Sequence, residues 1–119
     1  MSTDFTVTQH TGPAGPVLTF TGELDAASSP TAFEAIRGLE LVAAQLLLLD
    51  LTELGFCDSS GITALLAAHN CAEDADAAMA LVGVPDQLAR IFSLIGLDGI
   101  FTVYPTVEDA HNAWTADRS

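Results

Sequence analysis

Residues 46 to 70 read L-L-L-L-D-L-T-E-L-G-F-C-D-S-S-G-I-T-A-L-L-A-A-H-N, and this stretch decides the fold. Leu46 to Leu51 is a short apolar run holding one carboxylate, which suits a strand buried on both faces. Thr52 to Gly55 is a polar break. Asp58-Ser59-Ser60-Gly61 follows, directly before a helical spacing of Ile62, Leu65, Leu66 and His69. Aspartate and serine oxygens accept the first free N–H groups of a helix, so the helix starts here. Two hydroxyls therefore stand where a buried strand hands over to a helix. Unpaired N–H groups and the macrodipole favour negative charge at such a place, and a phosphate on Ser59 or Ser60 would sit in that field. Asp58 opposes it, because a phosphoserine carries about −1.5 to −2 charges.

Upstream, Phe5 to Gln9 alternates apolar and polar residues, Thr11 to Pro16 reads as a Gly/Pro turn, and Val17 to Thr21 alternates again. That is an antiparallel hairpin. Gly22-Glu23-Leu24-Asp25 closes it in a small acidic loop. Ser28 and Ser29 before Pro30 start a helix. Its period runs through Phe33, Ile36, Arg37, Glu40, Leu41 and Ala44, weakened at Gly38. Downstream, Ala78 to Val82 reads as a strand. Pro85-Asp86 opens a helix with Leu88, Ile91, Phe92 and Ile95 on one face, and Gly96 caps it. Ile100 to Tyr104 is the last strand. A helix from about Thr106 packs through Val107, Ala110 and Trp114, with Ala116 to Ser119 frayed. Strands alternating with helices imply right-handed crossovers. The expected fold is a single α/β domain over residues 1–119, its core at about 5–114. Its sheet is mixed but mostly parallel, of about five strands flanked by about four helices.

Composition bounds the chemistry. Half of the 119 residues are hydrophobic, enough for a core, and no apolar run approaches a membrane span. Met1 to His10 lacks the layout of a secretory signal. The two cysteines, Cys57 and Cys71, form neither a disulfide framework nor a Cys-x-x-Cys pair, so a reducing cytoplasm is the simplest compartment. Sixteen acids face three arginines and no lysine, for a net charge of −13. Such a chain repels nucleic acid and anionic lipid, and it has no lysine for a Schiff base or a phosphate-binding loop. The acids are scattered, so the charge fits plain solubility or a saline habitat first, and a basic patch on a protein partner second.

Several sites compete. Ser59 lies on a strand-to-helix turn, as the nucleophile of a Gly-x-Ser-x-Gly elbow does, and Gly61 supplies the second glycine. Cys57 replaces the first, and neither His69 nor His111 has a recognisable partner as base. His10, His69 and His111 lie far apart without metal-ligand spacing, so neither metal nor cofactor is expected. Asp74 and Asp76 read as a solvated loop. Cys57 beside Asp58 is disfavoured as a thiolate, and both cysteines read as small hydrophobes.

Gly22-Glu23-Leu24-Asp25, followed by Phe56-Cys57-Asp58-Ser59-Ser60-Gly61-Ile62, resembles the anti-sigma factor antagonists, bacterial members of the STAS domain family. Pro85 to Leu97 is similar to that family's third helix, and the likeness runs from about Phe5 to Trp114. The resemblance implies the same mixed sheet and a binding protein without catalysis of its own. It implies phosphorylation at Ser59 by a serine kinase that is itself the anti-sigma factor, with Ser60 as the alternative acceptor. The unphosphorylated form would bind the anti-sigma factor and free the sigma factor, and a serine phosphatase would restore it. Asp25, Asp58, Ser59, Ser60, Gly61 and Ile62 match the family's partner-binding positions. Cys57 departs from the larger apolar residue common there. A scaffold or accessory role in a stress-signalling or lipid-transport complex is the alternative, and a serine hydrolase a third reading.

Overall fold

The computed structural model describes residues 5–118, with side chains through Thr115. In chain order it has β1 (Thr6–Thr11), β2 (Pro16–Leu24), α1 (Ser29–Arg37), β3 (Leu46–Asp50), β4 (Leu54–Cys57), α2 (Ser59–Asp74), β5 (Ala78–Val82), α3 (Asp86–Ile95), a 3-10 turn (Leu97–Gly99), β6 (Thr102–Tyr104) and α4 (Val107–Arg118).

The leucine run forms the centre of the sheet because it is apolar on both sides. Leu47 and Leu49 face one core with Leu18, Phe20 and Leu81, beneath α1, α2 and α3. Leu46 and Leu48 face the other with Val17, Ala80 and Val82, beneath Ala110 of α4. The strand period of two assigns alternate residues to these opposite layers. The order is β1-β2-β3-β5-β6, with β4 paired to β2. Among the described residues only the β1–β2 hairpin is antiparallel, and the remaining pairings are parallel.

Among the described residues the sheet has six strands, one beyond the about five expected. The additional one is β4, which includes part of the polar break. Asp50 holds that break as a tight turn, its Oδ1 accepting from the Thr52 N–H at 3.0 Å and the Thr52 hydroxyl at 2.6 Å. The chain then rejoins the end of β2, pairing Glu23 with Phe56 and Leu24 with Cys57. A four-residue strand holding Gly55 has little propensity of its own, and β2 imposes the pairing. Gly22 to Leu24 accordingly belongs to the strand and not to a loop.

Two further expectations are corrected. The first helix stops at Arg37 and does not run to Ala44: the Gly38 N–H closes onto the Glu34 carbonyl and the chain leaves. Leu39 and Leu41 keep their apolar spacing because the connecting segment lays them on the same core. Ala44 adopts a φ of 72°, which no α-helix contains. At the other end, where residues 116–119 were expected to leave the helix, α4 runs to Arg118, and Ser119 lies outside the described residues.

Both faces of β3 are covered, so two adjacent truncations test the layering. Leu48→Ala and Leu49→Ala should each cost about 2–5 kcal/mol in urea unfolding, whereas Val42→Ala, at a position 59% exposed, should change little. A silent Leu48→Ala would mean that α4 does not cover its side of the sheet.

Candidate functional site

The Asp58–Gly61 turn forms where β2 and β4 end side by side. Their last paired residues are Leu24 and Cys57, so the residues that follow, Asp25 and Asp58, emerge together at the C-terminal edge of two parallel strands. The Asp58 N–H donates to the Leu24 carbonyl at 3.2 Å, which stitches the two exits.

Asp58 is the N-cap of α2. Its Oδ1 accepts from the Ser60 N–H at 2.9 Å and the Gly61 N–H at 3.2 Å. One carboxylate thus satisfies two of the donors that a helix start leaves unpaired. Ser59, the first residue of the helix, is exposed, and its hydroxyl makes no hydrogen bond among the described residues. Its carbonyl accepts from the Thr63 hydroxyl at 3.0 Å, one turn on. Ser60 is half-buried. Gly61 and Ile62 point down into the protein, Ile62 being 8% exposed and part of the main core.

Gly61 is where the helix comes closest to the sheet. A Cβ there would lie 2.6 Å from Cys57 Sγ, 2.8 Å from Leu24 Cγ and 3.0 Å from the Leu24 carbonyl oxygen. Glycine is needed for proximity, because its backbone is ordinary helix. The small Cys57 side chain belongs to the same fit. Burial, and secondarily the Asp58 carboxylate, push the Cys57 thiol up to about 12. It therefore stays protonated and packs as a small hydrophobe.

Asp25 builds its own loop. Its Oδ1 accepts from the Ala27 N–H at 3.0 Å, the Ser28 N–H at 3.1 Å and the Ser28 hydroxyl at 3.1 Å. Ser28 Oγ also accepts from the Asp25 N–H at 2.9 Å and donates to the Glu23 carbonyl at 2.7 Å. The loop into α1 is thereby fixed against the end of β2.

Of the six residues singled out by sequence, Asp25, Asp58, Ser59 and Ser60 therefore gather at the surface of one sheet edge. Gly61 and Ile62 act from beneath by setting the height of the helix. Sequence reasoning placed Ser28 at the start of α1 but missed that it braces the Asp25 loop, although aspartate followed three residues later by serine is a legible turn signal. It also missed Phe56, which β4 leaves 50% exposed beside the turn. Neither histidine considered as a base serves Ser59. His69 is ten residues along α2, about 15 Å at a helical rise, with its ring edge on Phe101 and Nε2 3.6 Å from Glu73. His111 belongs to α4, on the opposite face of the sheet, beside Gly12. Among the described residues no group of three His, Cys, Asp or Glu is placed to hold a metal ion. No described helix is long and apolar enough to cross a membrane.

A mixed sheet with an exposed serine at a helix start, fixed from below and flanked by carboxylates, defines a small α/β domain. The chain belongs to the STAS domain family, whose model matches residues 4–110. The relatives that it matches include anti-sigma factor antagonists. It is 30% identical to the anti-sigma-B factor antagonist of Listeria monocytogenes over 82 residues, 69% of this chain and 72% of that protein. The crystal structure of an anti-sigma factor antagonist from Mycobacterium paratuberculosis superposes with a TM-score of 0.80 at 27% identity, covering 94% of this chain and 95% of that one. An anti-sigma factor antagonist (STAS) domain protein from Planctomyces limnophilus shares the fold at 18% identity, with a TM-score of 0.75 over 92% and 97% of the two chains.

Two measurements probe this packing. Gly61→Ala should destabilise by about 1–3 kcal/mol, and Cys57→Ala in the same chain should restore only part of it, because Leu24 remains in the way. Cys57 should alkylate far more slowly in the native protein than in urea at pH 8.5. The unfolded thiol releases its proton near its ordinary 9.0 and the folded one near 12, so stability should fall as pH rises from about 9. Equal alkylation rates in native and unfolded protein would show that the thiol is open to water.

Proposed function

We propose that this chain is an anti-sigma factor antagonist acting in the cytoplasm through partner exchange. In its unphosphorylated form it binds an anti-sigma factor that is also a serine kinase, and so releases the sigma factor. Phosphorylation of Ser59 ends that binding, and a serine phosphatase restores it. The observation that carries the reading is the Ser59 hydroxyl, exposed and unbonded at the head of α2. Kinship with the antagonist of Listeria monocytogenes supports the same assignment. Ser60 is the weaker acceptor, since its side chain is half-buried.

The mechanism follows from where a phosphate must go. Asp58 already accepts the Ser60 and Gly61 N–H groups, so a phosphate on Ser59 finds those donors occupied. It remains in water, next to a carboxylate. The helix keeps its cap and the scaffold its shape. A partner that closes over Ser59 tolerates a hydroxyl, which finds a hydrogen bond or a bridging water. It does not tolerate a dianion, whose burial without a counter-charge costs several kcal/mol. Addition of charge thus rejects the partner by repulsion and desolvation, with no refolding. On this reading Asp25 presents its second carboxylate oxygen to the partner while its first holds the loop. The chain is a binding protein, and the chemistry belongs to the kinase and phosphatase.

The test is incubation with ATP and each serine kinase of the anti-sigma type encoded in the source genome, followed by mass spectrometry and size-exclusion chromatography. Phosphate should appear on Ser59, and the complex should dissolve as it does. Ser59→Ala should bind undiminished and accept no phosphate; Ser59→Asp should bind at least tenfold more weakly. Phosphate on Ser60 or elsewhere, with Ser59 untouched, would overturn the assignment.

A further inference from the structure

Beside the acceptor turn, β4 and α3 enclose an open groove of about 360 Å³. Its lining is mainly apolar: Leu54, Phe56 and Cys57 on the strand, Ile91 and Leu94 on the helix. Two of these side chains stand far into water, Phe56 at 50% and Leu94 at 79% exposure, and Ile95 next to Leu94 is 55% exposed. Contiguous apolar surface of this kind on an otherwise strongly acidic protein marks a contact site. Arg90 also lines the groove. It is exposed and forms no ion pair among the described residues, even though Asp86 lies one helical turn before it. Arg37, by contrast, lies over the Phe33 ring. A free guanidinium among apolar side chains is complementary to an apolar segment that carries a carboxylate.

The groove is also too near Ser59 to be ignored by anything that covers that residue. Phe56 and Ser59 are three residues apart, a span of at most about 11 Å. A standard interface covers about 800 Å² on each side, a patch reaching about 16 Å from its centre. A partner centred on Ser59 therefore overlies Phe56.

We propose that the β4–α3 groove is a second anchoring site for the partner that covers Ser59. It takes from that partner an amphipathic segment whose apolar side chains pack on Phe56, Ile91 and Leu94 and whose aspartate or glutamate pairs with Arg90. This rests on the Ser59 switch and adds to it a division of labour. The groove supplies attraction that phosphorylation does not remove, and the acceptor turn supplies the discrimination. A second copy of this chain is a poorer occupant, because each copy carries a net charge of −13.

The kinase that phosphorylates Ser59 in the preceding experiment is the probe. Leu94→Ser and Arg90→Glu should each weaken its binding at least tenfold, while Val42→Ser, another exposed apolar position remote in sequence, should stay within twofold of wild type. Thermal melts matching the wild type establish that the variants fold. With p-benzoylphenylalanine in place of Leu94, ultraviolet light should link the chain to an apolar, acid-containing segment of the kinase. The same group at Val42 should give no such link. A wild-type chain that binds and accepts phosphate while both groove variants do so equally well overturns the groove and leaves the switch standing. Links at Leu94 only to a second copy overturn it too. A wild type that neither binds nor accepts phosphate brings down the switch and the groove together.

Discussion

The closeness of α2 to the ends of β2 and β4 is the constraint on which the rest depends. At Gly61 there is no room for even one carbon between the helix, Cys57 and Leu24. That contact fixes the height of the first helical turn above the sheet. The Asp58 cap fixes its rotation, because a single oxygen must reach two successive N–H groups. The bond from the Asp58 N–H to the Leu24 carbonyl ties the same turn to the strand that leads into Asp25. Three separate restraints therefore converge on one short stretch. The residue left over, Ser59, owes its outward position to them and makes no hydrogen bond of its own through its hydroxyl.

A site built in this way is well suited to a signal made by adding charge. If the Ser59 hydroxyl were a cap or part of a buried network, modifying it would remove a structural bond and risk the helix. Here the structural work is done by neighbours. Asp58 holds the helix, Ser28 and Asp25 hold the preceding loop, and Gly61 and Ile62 hold the packing. Under the proposed switch, stability and recognition fall to different side chains a single residue apart, which allows a large change in one with little change in the other.

How much of this was legible in the sequence depends on which forces are local. The central strand, a helix start within Asp58 to Gly61 and the Gly96 stop were readable because each rests on a few adjacent residues, although which of Asp58 and Ser59 caps the helix was not. Gly96 indeed ends α3 in the left-handed conformation, with φ of 82°. The fourth strand was not readable, since Leu54 to Cys57 becomes a strand through pairing with β2, thirty or so residues earlier in the chain. The overlong first helix was misread for a related reason. Leu41 and Ala44 continue the helical spacing of Phe33 and Ile36, but Leu41 reaches the core from an irregular segment after Gly38. At the site, residue types and order were visible, and an exposed serine ahead of an apolar helix face beginning at Ile62 was readable too. The closeness of Gly61 to Cys57 and Leu24 was not, because it depends on how α2 sits over the ends of β2 and β4.

The unusual charge of the chain narrows how the proposed switch can work. A phosphoserine adds about −1.5 to −2 charges to a protein that already carries −13. Seen from beyond a Debye length, about 8 Å at physiological salt, the modified and unmodified molecules differ little, and a partner drawn in by the overall field would be drawn to both. Discrimination must arise at contact, where water is expelled and an unpaired charge is costly. It should then act mainly on how long the complex lasts and only weakly on how fast it forms, because steering at a distance governs association and short-range fit governs dissociation. An acidic surface is thus compatible with a phosphate signal only if the acceptor lies inside the footprint of the partner, and an exposed serine restrained from three sides at the edge of the sheet meets that requirement.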